Sequence, residues 1–388
     1  MKELIVVDAG LATLSGHHAA VIDKLAAVRQ LKVCIYSHVS VNSDVIEHAD
    51  SYGIELHPYF ETEFYGYLSS NENRVGFSKT LKLLATEYIN LLTLHREKEA
   101  RYLFHTMDWI HLWALSLALE LIQRKKHQVP SVIVLLMFNP LSKALYGASR
   151  TLYASAVKLM LKFGKSVSMW PSDFEVAQAI NLLLGSNIFA QVHPCLLPFE
   201  QQVCNAESRK RGIRQVLLYC GDAKGSKGFT ELPEILGKVL PNSNDDIRFV
   251  IQYTNESLDP KLLKAEALLE HIAYKSDKLK LIKGYMSDAR LAKLYKASHA
   301  LLVNYCPLVY QYKSSGMVWL AAKYNTPIVS LSESWLTREA HRLGVACDVV
   351  ALDSLTSESF FEEPRERKVT TYYQELMASF DSWLCNQF

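Results

Sequence analysis

Short apolar runs rich in β-branched residues alternate with helical patterns along the chain. In the first half ELIVVDAG, LKVCIYSH, RYLFHT, SVIVLLMF, SVSMW and IFAQVH read as strands, with HHAAVIDKLAAV and DWIHLWALSLALELIQRKK among the helices between them. Such alternation predicts parallel sheets covered by helices. The apolar periodicity gives way to polar, charged sequence in QVHPCLLPFEQQVCNAESRKRGIRQ, which marks a linker. A second series follows: QVLLYCG, IRFVIQYT, LKLIKGY, HALLVNY, TPIVSLS and CDVVAL. The tail TTYYQELMASFDSWLCNQF has the period of an amphipathic helix. The expected division is an N-terminal Rossmann-like domain over 1–198, a C-terminal one over 199–365, and a closing helix over 366–388 that packs back on the first domain.

A chain of 388 residues is too long for one typical core and fits two such domains. Ligands of these sheets bind at the carboxyl ends of strands, here expected in a central cleft between the domains. With 49% hydrophobic and 21% charged residues the chain can bury large cores in water. A net charge of +2 gives no global case for nucleic acid, so any basic function is local. Seven scattered cysteines without a C-x-x-C pair indicate neither a disulfide framework nor a structural zinc site. The start MKELIVVDAG lacks the core of a signal peptide, and the expected location is the cytoplasm.

Several stretches carry candidate chemistry. SSGMVWLAAKYNTPIVS opens a helix with Ser314, Ser315 and Gly316, where unpaired amides and the helix dipole suit a phosphate; a plain N-cap is the other reading. DAGLATLSGHHAAV joins the first strand to its helix through Gly16 and His17, directing amides outward without the dinucleotide fingerprint G-x-G-x-x-G. FHTMDWIHLWALS sets His105 at a strand end and Asp108 at a helix start, where either can orient a hydroxyl or accept its proton, or Asp108 simply caps the helix. Between 143 and 165, lysines alternate with Leu, Tyr, Val, Met and Phe, so this segment either rests on an anionic membrane surface or packs on its own sheet with its charges outward.

The ordered series YCGDAKGSKGFTELPEIL, LKLIKGYMSDARLAKLYKASHALLVNY and YQYKSSGMVWLAAKYNTPIVS resembles the nucleotide-binding half of GT-B glycosyltransferases, in particular the retaining family-four enzymes. The resemblance implies an α/β GT-B fold and transfer of a sugar from a nucleotide-diphosphate donor to a glycan or lipid-linked acceptor, with retention and without a metal or other cofactor. It matches Lys227 and Gly228, after Gly221, to the pair that neutralises the leaving diphosphate, and makes Ser314, Ser315 and Gly316 a second phosphate clamp. Asp222 stands where the family has an Arg, leaving Lys224 as the second cation. Leu320 and Tyr312 stand where the family has glutamates, the former holding the ribose, with Glu333 and Glu339 as substitutes downstream. That loss keeps a non-catalytic relative open as an alternative, beside a nucleotide-sugar epimerase and a sugar-binding module.

Overall fold

A computed structural model describes residues 2–14, 16–28, 30–62, 77–95, 100–142, 149–197, 212–361 and 369–388. The chain divides into two compact units, Met1–Pro198 with Glu375–Phe388, and Phe199–Gln374. Most of the expected linker, 198–211, lies outside the described residues.

The first unit is built on strands β1 (Lys2–Asp8), β2 (Leu31–His38), β3 (Glu55–Phe60), β4 (Ala100–Phe104), β5 (Ser131–Leu136) and β6 (Val167–Pro171), joined in the order β3-β2-β1-β4-β5-β6 by parallel pairings. Successive residues of β1 serve opposite faces. Ile5 and Val7 join Tyr88, Leu91, Leu112 and Leu115 of helices α3 (Phe77–Leu94) and α4 (Trp109–Arg124). Leu4 and Val6 join Val21, Ile22 and Leu25 of α1 (Gly16–Ala26) and Val45 of α2 (Ser43–Ser51). Burial on both faces is why the strand reads as an unbroken apolar run.

Three expectations are corrected here. IFAQVH makes single backbone hydrogen bonds, such as His193 N to the Pro171 carbonyl, and no ladder, so it is extended chain rather than a strand. The sixth strand is instead β3, whose sequence ELHPYF contains Pro58 and keeps only Leu56 and Phe60 buried, as befits an edge strand. The closing helix is broken in two, α12 (Thr371–Leu376) and α13 (Phe380–Cys385), because Ser379 takes an extended conformation and caps α13 by accepting from the Ser382 amide. Phe380 and Leu384 of α13 enter the core beside α1.

In the second unit β7 (Arg214–Asp222), β8 (Ile247–Thr254), β9 (Leu279–Lys283), β10 (Ser298–Val303), β11 (Ile328–Ser330) and β12 (Cys347–Val349) pair in parallel in the order β12-β11-β10-β7-β8-β9. They are covered by α7 (Leu232–Val239), α8 (Pro260–Lys275), α9 (Asp288–Ala297), α10 (Gly316–Tyr324) and α11 (Trp335–Arg342). Each sheet has one point where the strand order reverses, between β1 and β4 and between β7 and β10. Connections leave in opposite directions there and open a crevice at the carboxyl ends.

Of the basic segment, 143–148 lies outside the described residues, and α5 (Ser149–Leu161), which packs against α6 (Phe174–Leu184), carries much of the rest. Its apolar side, Tyr153, Ala156, Val157 and Met160, is fully buried in the first core, while Arg150, Lys158, Lys162 and Lys165 are exposed. Leu161 is the apolar residue of α5 exposed beside these charges. No helix among the described residues is long and apolar enough to cross a membrane.

Candidate functional site

Two polar clusters occupy the two reversal points. In the first unit Asp8, the last residue of β1, is fully buried between two imidazoles. His18 Nδ1 lies 2.7 Å from Asp8 Oδ1, and His105 Nδ1 lies 2.7 Å from Oδ2. The Gly10 amide donates to Oδ1 at 3.1 Å. Burial raises the Asp8 pKa, but the charges and hydrogen bonds of His18 and His105 outweigh it and hold the carboxyl well below its ordinary value. A Cβ on Gly10 would sit 2.5 Å from His18 Cε1, so the chain must be glycine there to let the ring close on Asp8. Asp8, His18 and His105 offer ligand atoms within 4.8 Å of one another. Their hydrogen bonds already account for that spacing, and the set does not require an ion.

Sequence reasoning missed Asp8 and His18 as partners of His105. The signal was an Asp closing the buried apolar run Leu4–Val7. His105 follows β4, next to β1 in the sheet, which brings residues 97 positions apart into contact. Gly16 and His17 are the first two residues of α1.

Asp108 is the N-cap of α4, accepting from the Ile110 and His111 amides at 3.1 Å each. It is fully buried, and its Oδ2 has no hydrogen-bond partner among the described residues. Burial pushes its pKa up to about 7, against the two capping bonds. Burial also pushes neighbouring His111 down to about 3. Both groups therefore make stability depend on pH. The folded Asp108 binds protons that the unfolded chain has already released, so its ionisation costs stability progressively as pH rises from about 4 to 7. Asn caps helices as well as Asp does. Asp108→Asn should therefore gain thermal stability relative to wild type at pH 8, with the advantage shrinking towards pH 5 in parallel melts.

In the second unit β7 ends in Gly221 and Asp222, and a single 3-10 turn, Gly225–Lys227, leads into Gly228. Gly221 has φ +114°, and a Cβ there would stand 3.5 Å from Lys227 Nζ. Gly228 has φ +78°, and its Cβ would fall 2.0 Å from the Asn304 carbonyl oxygen. Left-handed backbone and close approach both exclude side chains at Gly228. The turn is thereby pressed on the chain leaving β10, where the Cys306 amide donates to the Ser226 carbonyl at 2.9 Å.

Lys227 is half-buried and makes no ion pair among the described residues. Burial lowers its pKa, the Asp222 charge raises it, and Lys224 and Lys313 lower it further. Lys224, the expected second cation, is exposed and paired with Asp222 at 3.0 Å. Lys313 supplies a third ammonium, 5.5 Å from the centroid of the Tyr310 ring, and was not foreseen. Ser314, Ser315 and Gly316 open α10 as the sequence suggested. Ser315 occupies the N-cap position without capping: its hydroxyl is 3.5 Å from that of Tyr305 instead.

The ribose substitutes fare differently. Glu339 is fully buried, accepting from Trp319 Nε1 at 3.0 Å and from the Tyr372 hydroxyl at 2.7 Å, so it is a structural carboxylate and not a sugar ligand. Glu333 accepts from the Thr337 hydroxyl at 3.0 Å within the first turn of α11. Leu320 lies half-buried on α10.

No protein-family model matches this chain, and no curated protein matches it either. Solved structures do. The trehalose-phosphate synthase (UDP-forming) of Burkholderia vietnamiensis superposes with a TM-score of 0.60 at 13% identity, over 99% of this chain and 99% of its own. HepE of Anabaena, solved in complex with UDP and glucose, gives 0.58 at 11% identity over 99% and 95%. The UDP-GlcNAc 2-epimerase of Neisseria meningitidis, bound to UDP-GlcNAc, gives 0.51 at 16% identity over 100% and 99%. At these identities the likeness is one of fold, and the fold is the α/β GT-B architecture of two Rossmann-like units in one chain.

Proposed function

We propose that the chain is a glycosyltransferase that moves a sugar from a nucleotide-diphosphate donor to a glycan or lipid-linked acceptor, with retention and without a metal. Lys227 is the observation that carries this reading. A half-buried ammonium with no ion pair among the described residues, at the reversal point of a parallel sheet, is a costly arrangement that an arriving anion relieves. Breaking a glycosidic bond to a diphosphate leaves charge on the departing oxygens, and Lys227 with the amides opening α10 supplies fixed positive potential for it. Gly221, Gly228, Ser314, Ser315 and Gly316 give the phosphates room to approach the backbone. Lys224 and Lys313 add long-range attraction.

The first unit serves the acceptor in this reading. Asp8 fixes the orientation of His18 and His105, and because both rings are buried they serve the acceptor side by holding the end of β1, the end of β4 and the start of α1 in place. Asp108 positions α4 beside them, and Gly16 and His17 contribute their amides. Retention routes the acceptor proton to an oxygen of the departing phosphate.

Sugar nucleotides incubated with and without glycan acceptors, followed by proton NMR, test the proposal. Appearance of a new glycosidic bond with the donor's anomeric configuration, only when acceptor is present, is the expected result. An epimerised sugar nucleotide formed without acceptor would replace transfer by epimerisation, the reaction named for one structural neighbour.

A further inference from the structure

Among the described residues, three ammonium groups and one carboxylate meet at the end of β7. Asp222 Oδ2 accepts from Lys224 Nζ at 3.0 Å, and Oδ1 accepts from the Thr254 hydroxyl at 3.1 Å. Thr254 ends the neighbouring strand β8, so the carboxylate is held from two strands at once. The Tyr219 hydroxyl donates to the Asp222 carbonyl and fixes the backbone as well. Lys224 and Lys313 both repel Lys227 and each other as like charges, and Asp222 is the carboxylate that offsets Lys224 and Lys227.

On the donor-site reading above, we propose that Asp222 is a built-in competitor of the diphosphate, a counter-anion that a bound diphosphate must displace from Lys224 and that sets how tightly the diphosphate is held. In the empty site it lowers the repulsion among the lysines. Once a diphosphate arrives, the same carboxylate is a like charge beside it. A freed nucleoside diphosphate carries one more ionisable oxygen than its sugar ester. The repulsion is therefore larger for the product than for the donor, and Asp222 hastens release after transfer. Its side chain is more than half exposed, so removing its charge leaves no buried group unpaired.

Calorimetric titration of the full chain with UDP and with UDP-glucose tests this in wild type, Asp222→Asn and Lys227→Ala, each checked by thermal melting. Asp222→Asn should bind UDP about tenfold more tightly, with a smaller gain for UDP-glucose. Stopped-flow dissociation of UDP should slow in proportion. Unchanged or weaker UDP binding by Asp222→Asn would overturn the proposal and make Asp222 a support for Lys224. Failure of the donor-site reading looks different: wild type would not bind UDP, or Lys227→Ala would bind it as well as wild type does.

Discussion

Lys227→Ala is expected to cut turnover by one to three orders of magnitude while leaving the fold intact. The side chain is half-buried and bonded to no other described group, so its loss opens no core and strands no partner. Its ammonium is worth most when charge has moved onto the departing diphosphate, because preorganised charge at a site shielded from water contributes more in the transition state than in the ground state. Removing one such group costs roughly 100- to 1,000-fold in kcat, and water screening at a half-buried site extends the range downward. Steady-state kinetics with donor varied at saturating acceptor would show the loss mainly in kcat. Unchanged kcat with intact donor binding would exclude Lys227 from the reaction.

Asp8→Ala should be the most destabilising single change in the first unit. The carboxylate is fully buried and joined to two imidazoles and the Gly10 amide, so its removal leaves polar hydrogens stranded in the interior. Breaking a buried pair on one side costs about 3–5 kcal/mol. The pH window follows from the sign of the shift. A carboxyl held well below its ordinary value contributes stability above the unfolded pKa of about 3.9, and loses it only as pH falls through the lower folded value. Denaturant unfolding from pH 5 to pH 8 should therefore show the full deficit throughout. Asp8→Asn keeps the shape and should lose less.

Much of the fold was legible because strands buried on both faces have a composition of their own. LIVV in β1, VIVLL in β5 and FVIQY in β8 admit few other readings. β3 was missed because an edge strand is mostly exposed and tolerates Pro58, which removes the signature of a central strand. IFAQVH was misread because Phe189 and Val192 are buried without any ladder. Composition reports burial, and burial alone does not distinguish a strand from an extended segment laid on a core.

The donor-side residues fall in two short stretches, 221–228 and 313–316, and a loop of glycines and lysines marks itself. Contacts that depend on strand order are a different matter. Asp8 with His105 and Asp222 with Thr254 are pairs made by sheet neighbours distant in the chain, so no local spacing announces them. Glu339 shows the reverse case. Its place downstream of α10 suggested a sugar ligand, and only packing reveals Trp319 and Tyr372 on its oxygens.

Amide hydrogen exchange with and without UDP bears most directly on the central claim that the second unit holds a nucleotide diphosphate between the 3-10 turn and the opening of α10. Binding should slow exchange in peptides spanning Gly225–Phe229 and Ser314–Trp319, and Lys227→Ala should weaken that protection. Saturating UDP that leaves both peptides exchanging at their free rates would contradict the account.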